Sequence, residues 1–182
     1  MTTIKTLCVY CGSRPGNTPE FTDQAKKLGE IMASNGISLV YGAGTTGVMG
    51  AVASAVSQNG GQVTGIIPEF LLESEAAHEP EKWCSSVLVT RSMHERKQKM
   101  FEQSDGFVAL PGGIGTLEEI IEIMTWAQLG RHSKPVALLN TNGFWNPLLG
   151  LYKQMQDFGF IHAEKNISLE ILQKAEDLER LL

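Results

Sequence analysis

The sequence predicts an α/β fold, a doubly wound parallel sheet with helices on both faces, organised as one domain over its 182 residues. Three observations predict it. Short apolar runs alternate with longer segments of helical period. The short runs are apolar throughout rather than at every second residue, as strands covered on both faces are. Three of them end in glycine-rich turns that lead directly into helical segments, the βα arrangement of such sheets.

The elements follow in order. "TLCVYCG" reads as the first strand and "PEFTDQAKKLGEIMASNG" as the helix behind it. "ISLVYGA" is the second strand, followed by "VMGAVASAVSQNGG", which closes on glycine as a helix C-terminus does. "QVTGIIP" is the third strand. The stretch "FLLESEAAHEPEKWCSS" has neither period and is expected to form a surface lobe near the site. "SSVLVT", "GFVALPG" and "KPVALLN" supply three more strands, interleaved with helices at "SMHERKQKMFEQS" and "TLEEIIEIMTWAQLG". Helices at "NPLLGLYKQMQDFG" and "LEILQKAEDLERLL" complete the chain. Repeats, low-complexity tracts and linkers are not evident.

Composition narrows the function classes. A hydrophobic share of 42% and a charged share of 19% are those of a globular protein, and the net charge is −5. That charge excludes the broad basic face that nucleic acid or an anionic membrane would need, so an anionic ligand must be held by local devices. No apolar run is long enough to span a membrane, and "MTTIKTLCVYCGS" lacks the form of a signal peptide, so a cytoplasmic location is expected. Cys8-Val-Tyr-Cys11 looks like half of a zinc site. It has no second pair, however, and His78, His94, His132 and His162 lack ligand spacing relative to it. The cysteines are expected to be small buried hydrophobes, with no metal and no cofactor required.

The chemistry concentrates in the three turns "YCGSRPGN", "YGAGTTGVMG" and "LPGGIGTLEE". Glycine allows a backbone to approach a ligand closely, and the helix that follows aims N–H groups and a positive dipole end at it. A phosphate suits such a place. Gly42-x-Gly44-x-x-Gly47 also matches a dinucleotide fingerprint, but the strand after it ends without the acid that would hold a ribose. No lysine follows those glycines, as an ATP-binding phosphate loop requires.

In the third turn Pro111 stops the strand and Gly112, Gly113 and Gly115 shape the bend. Thr116 falls where a helix N-cap belongs, and its hydroxyl could also donate to a phosphate oxygen. Glu119 then has two readings. It completes a capping box with Thr116, or it points at a sugar attached to the bound phosphate. Upstream, Arg96 and Lys97 lie in "MHERKQKM". They form either a solvated basic face or, for Arg96 beside Met93, a planar cation ready to pair with a carboxylate.

These segments, in this order and spacing, resemble the LOG family of cytokinin riboside 5′-monophosphate phosphoribohydrolases, whose hallmark is P-G-G-x-G-T-x-x-E with an upstream Arg-Lys pair. The resemblance runs from about Cys8 to Ile161. It implies a Rossmann-like homodimer that cleaves the N-glycosidic bond of an adenosine 5′-monophosphate. It also implies catalytic roles for Arg96 and Glu119, a phosphate loop at Gly112, Gly113, Gly115 and Thr116, and a nucleotide contact for Lys97. Gly12, Ser13, Gly44 and Met93 complete the expected substrate-binding set. In "YGAG", Ala43 replaces the family's usual glycine. In the lengthened segment between Pro68 and Met93 we take Glu79 as the substrate-contacting acid. The old "lysine decarboxylase" label of the family is rejected, since no lysine has the setting of a Schiff base. A nucleotide carrier without turnover is the alternative reading. Apolar Leu117, Ile120, Ile121, Ile123, Met124, Trp126 and Ala127 make a stripe wider than one sheet face needs, which also suggests a partner subunit.

Overall fold

The computed structural model describes residues 4–72, 79–161 and 167–182. Part of the irregular lobe, His78 included, and His162 lie outside these residues. Seven strands form one parallel sheet in the order β4-β3-β2-β1-β5-β6-β7. They are β1 (Thr6–Tyr10), β2 (Ser38–Tyr41), β3 (Val63–Pro68), β4 (Ser86–Thr90), β5 (Gly106–Ala109), β6 (Val136–Leu139) and β7 (Leu169–Leu172). The helices are α1 (Glu20–Ser34), α2 (Gly47–Gln58), α3 (Met93–Glu102), α4 (Ile114–Gln128) and α5 (Asn146–Asp157).

Alternation along the strands divides the core between the two faces. Leu7, Val9 and Cys11 pack with Leu39, Tyr41, Val108 and Leu110 against α1 and α2. Cys8 and Tyr10 pack with Val40, Phe107 and Ala109 against α3, α4 and α5. This is the doubly wound arrangement expected. Both N-terminal cysteines are buried, one on each face.

One end of the chain departs from expectation. "LEILQKAEDLERLL" is not one continuous α-helix. Leu169–Leu172 is the seventh strand, pairing Val136 with Leu169 and Leu139 with Leu172, and Ala175–Leu181 is a 3₁₀ helix. Four apolar-rich residues fit one turn of either structure. The open edge of β6 supplies the ladder hydrogen bonds that decide for a strand.

The sheet order changes direction at β1, which has β2 on one side and β5 on the other. Loops leaving β1 and β5 therefore lead to opposite faces and leave a crevice at their carboxyl ends, where such sheets bind ligands.

Candidate active site

The three glycine turns leave the ends of β1, β2 and β5 and meet backbone to backbone. The Gly12 N–H donates to the Pro111 carbonyl at 3.2 Å, and the Met49 N–H donates to the Gly12 carbonyl at 3.0 Å. The Thr46 hydroxyl donates to the Ser13 carbonyl at 3.1 Å. Such packing leaves no room for a side chain at Gly47 or Gly112, whereas Gly113 and Gly115 face open space. A Cβ on Gly112 would strike Thr116 Oγ1 and come within 2.8 Å of the Gly12 nitrogen.

That packing also moves the start of α4. The helix begins at Ile114, with Gly113 as its N-cap residue and no side-chain cap. Thr116 is the third helical residue, buried beneath Gly112, so the expected N-cap and its capping box with Glu119 are not formed. Its place inside the helix follows from the missing Cβ of Gly112, which lets the hydroxyl tuck under the loop. The first intrahelical bond is Leu117 N–H to the Gly113 carbonyl, 3.1 Å. The leading N–H groups of α4 thus face the crevice with the dipole's positive end, and the N-cap residue, Gly113, has no side chain to cap them. An anion suits that terminus.

Glu119 forms no capping box with Thr116. It is 7% exposed and one turn further along, and its Oε1 lies 3.8 Å from Nη2 of Arg96, itself 3% exposed. Burying either charge alone would be costly, and opposite charges offset each other. Arg96 comes from α3, whose start is fixed by Ser92: its hydroxyl accepts from the Glu95 N–H, while the Glu95 carboxylate accepts from the Arg91 N–H. The guanidinium is bounded by Met93 Sδ, 3.9 Å from Nη1, and by Gly42, where a Cβ would collide with Nη2. Gly42 is therefore glycine to seat an arginine. Its place in a fingerprint-like run concealed that reason.

A cavity of about 150 Å³ joins these parts. Gly12, Ser13, Met93, Arg96, Gly115, Thr116 and Glu119 line it, together with Gly113, Cys11, Met49 and Leu71. Gly112 lines the adjoining cavity of about 330 Å³, which also includes Gly12, Ser13 and Phe144. Gly44 lies beneath Met49, whose Sδ would be 2.6 Å from an added Cβ. Cys11, Met49 and Leu71 were not foreseen, being apolar or small and unmarked by pattern. Burial pushes the Cys11 thiol far above its ordinary range, which suits a wall and not a nucleophile.

Two expected contacts fall elsewhere. Lys97 lies outside both cavities, with its ammonium 2.6 Å from Glu118 and 3.1 Å from Glu122. Burial lowers its pKa, but the two carboxylates outweigh that and leave it raised. Glu79 is exposed, has φ 145° and lines neither cavity.

A family model described as "Possible lysine decarboxylase" matches residues 49–182. The chain is 47% identical over 160 residues to the probable cytokinin riboside 5′-monophosphate phosphoribohydrolase LOG4 of Oryza sativa subsp. japonica, covering 88% of this chain and 68% of that protein. It is 43% identical over 179 residues to the cytokinin riboside 5′-monophosphate phosphoribohydrolase LOG7 of Arabidopsis thaliana, covering 98% of this chain and 81% of that one. Among solved structures, a molybdenum cofactor binding protein from Rippkaea orientalis superposes with a TM-score of 0.72 at 23% identity, covering 100% of this chain and 96% of that chain. The Moco carrier protein of Chlamydomonas reinhardtii gives 0.70 at 19% identity, covering 98% of each. These structures share the fold.

The sheet and its crevice define a Rossmann-like α/β protein with an anion-receptive helix terminus beside a buried carboxylate. At 43–47% identity over most of its length, the chain belongs to the LOG family.

Proposed function

We propose that this protein hydrolyses the N-glycosidic bond of adenosine-type nucleoside 5′-monophosphates, AMP and/or N6-modified cytokinin riboside 5′-monophosphates, giving free base and ribose 5-phosphate. The observation that carries the reading is Glu119, buried 3.8 Å from Arg96 in the cavity that α4 opens with its uncapped N-terminus. The names of the LOG relatives support it.

The 5′-phosphate docks on the leading N–H groups of α4 and the Thr116 hydroxyl. Held there, it fixes the ribose so that remote binding energy serves orientation. Breaking the bond from C1′ to the purine nitrogen builds oxocarbenium character on the sugar, as in glycoside hydrolysis. Glu119 stabilises that charge and takes a proton from the water that attacks C1′, while the bonding electron pair leaves with the base, which is then protonated. Arg96 keeps Glu119 ionised and oriented. A lysine-based reading is disfavoured, since none of the residues lining the cavity is a lysine.

Incubation with AMP and with isopentenyladenosine monophosphate tests the proposal. Free base and ribose 5-phosphate in equal amounts are expected from at least one of them. Nucleotide recovered unchanged after long incubation would instead favour a carrier.

We also propose a homodimer. Ile120, Ile123 and Met124 are buried within the chain, but Ile121 is exposed on the same helix, and Ile114, 81% exposed, lines an apolar groove with Leu117, Pro147, Leu148 and exposed Leu151 of α5. Light scattering at micromolar concentration should give twice the 19.9 kDa chain mass.

A further inference from the structure

We propose that Lys97 is a positioning residue: by bridging Glu118 and Glu122 it clamps α3 to α4 and so sets the separation of Arg96 and Glu119. This rests on the phosphoribohydrolase reading above.

The placement is stepwise. Lys97 follows Arg96 on α3, and Glu118 precedes Glu119 on α4. Glu122 lies four residues beyond Glu118, so both carboxylates share one helix face and one ammonium can reach them together. Its distances are 2.6 Å to Glu118 and 3.1 Å to Glu122, with the lysine side chain only 14% exposed. The inner pair is looser, at 3.8 Å between Arg96 and Glu119. That separation depends on how α3 and α4 sit against each other, since each helix contributes one member of the pair. The outer bridge is short enough to hold the two helices together. Removing the ammonium would also leave two carboxylates repelling each other at i,i+4 spacing, which strains the helix that carries Glu119.

Lys97 is also poorly placed to touch substrate. It lines neither cavity of the crevice, and two of its three donor positions are taken by carboxylates.

The test compares Lys97→Met, Lys97→Arg and the double variant Glu118→Gln/Glu122→Gln by steady-state turnover of AMP. Lys97→Met should lower kcat about tenfold, equivalent to about 1.4 kcal/mol of barrier, with KM changed by less than about twofold. The double variant keeps the lysine but removes its acceptors, and should lose about as much kcat. Lys97→Arg, whose fork can bridge both acids, should retain activity within about threefold of wild type. A raised KM at unchanged kcat in Lys97→Met, with a fully active double variant, would place the lysine on the substrate and overturn the clamp. So would an unchanged kcat in both. Wild-type protein that hydrolyses no nucleoside monophosphate would defeat the functional reading itself. A crystal structure of Lys97→Met then decides the clamp separately. Separation of Arg96 Nη2 from Glu119 Oε1 by clearly more than the 3.8 Å of the native protein supports it, and an unchanged distance overturns it.

Discussion

Glu118 and Glu119 are one residue apart on α4, and about 100° of helical rotation separates their side chains. Glu118 is half-exposed and bonds Lys97 at 2.6 Å. Glu119 is buried, 3.8 Å from a buried Arg96, and lines the cavity at the helix terminus. Identical chemistry thus serves two ends. The outer acid is solvated, its Coulomb energy is screened, and it can only help to hold helices together. The inner acid lies out of water beside a buried cation, so its charge acts at close range on whatever enters the cavity. Burial, and not residue type, separates the catalytic candidate from the structural one.

The comparison can be broken first at the seat of Arg96. Gly42→Ala would place a methyl group against Nη2, and the guanidinium must move by on the order of 1 Å. Because the atom struck is the tip of a long side chain, the fold should tolerate the change. We expect kcat/KM for AMP to fall on the order of 10²-fold with a melting temperature within a few degrees of wild type. A large loss of stability with normal specific activity would show that Gly42 serves the fold instead.

A smaller effect probes the phosphate end. If the α4 terminus anchors the 5′-phosphate, adenosine should be cleaved at least tens of times less efficiently than AMP, because orientation by remote binding is lost. Comparable kcat/KM for the two would remove the terminus from the mechanism.

The smallest effect sharpens the comparison beside Gly42. Ala43 has φ 65°, a left-handed conformation that costs an L-residue about 1–2 kcal/mol. Its methyl group is buried with Ile67, and burying a methyl gives back about 0.8 kcal/mol. Glycine would also loosen the unfolded chain by about 0.4–1 kcal/mol. The terms nearly cancel, so Ala43→Gly should change stability by less than about 1 kcal/mol and leave turnover of AMP unaltered. Denaturant unfolding checks the first expectation and initial rates check the second.

Much of this was legible in the chain. Apolar runs marked β1, β2, β3, β5 and β6 because strands buried on both faces need no polar residues, and the β-branched run of β4 marked that edge strand although it is partly exposed. The three glycine turns marked the crevice because close backbone approach excludes a Cβ. Other features depended on contacts remote in sequence. Thr116 carries the pattern of an N-cap, yet the gap left by Gly112 draws it into the helix and starts α4 three residues earlier, at Ile114. Leu169–Leu172 has no helix-or-strand signature of its own until β6 offers it an edge. Lys97 reads as a nucleotide contact beside Arg96, and only the register of α3 against α4 shows it bonded to Glu118 and Glu122. Gly42 gave no sign of its purpose without Arg96 in place.

The central claim is that Glu119 does chemistry and is not part of a cap. It is tested most directly by measuring kcat and AMP affinity for Glu119→Gln beside Glu118→Gln. Loss of the buried carboxylate's charge removes both its general-base role and its stabilisation of the sugar cation. Glu119→Gln should therefore still bind AMP while its kcat falls on the order of 10²-fold or more. Glu118→Gln leaves Lys97 its bond to Glu122 and should lose no more than a few-fold. Near-normal kcat in the Glu119 variant, or equal losses in the two, would contradict the account.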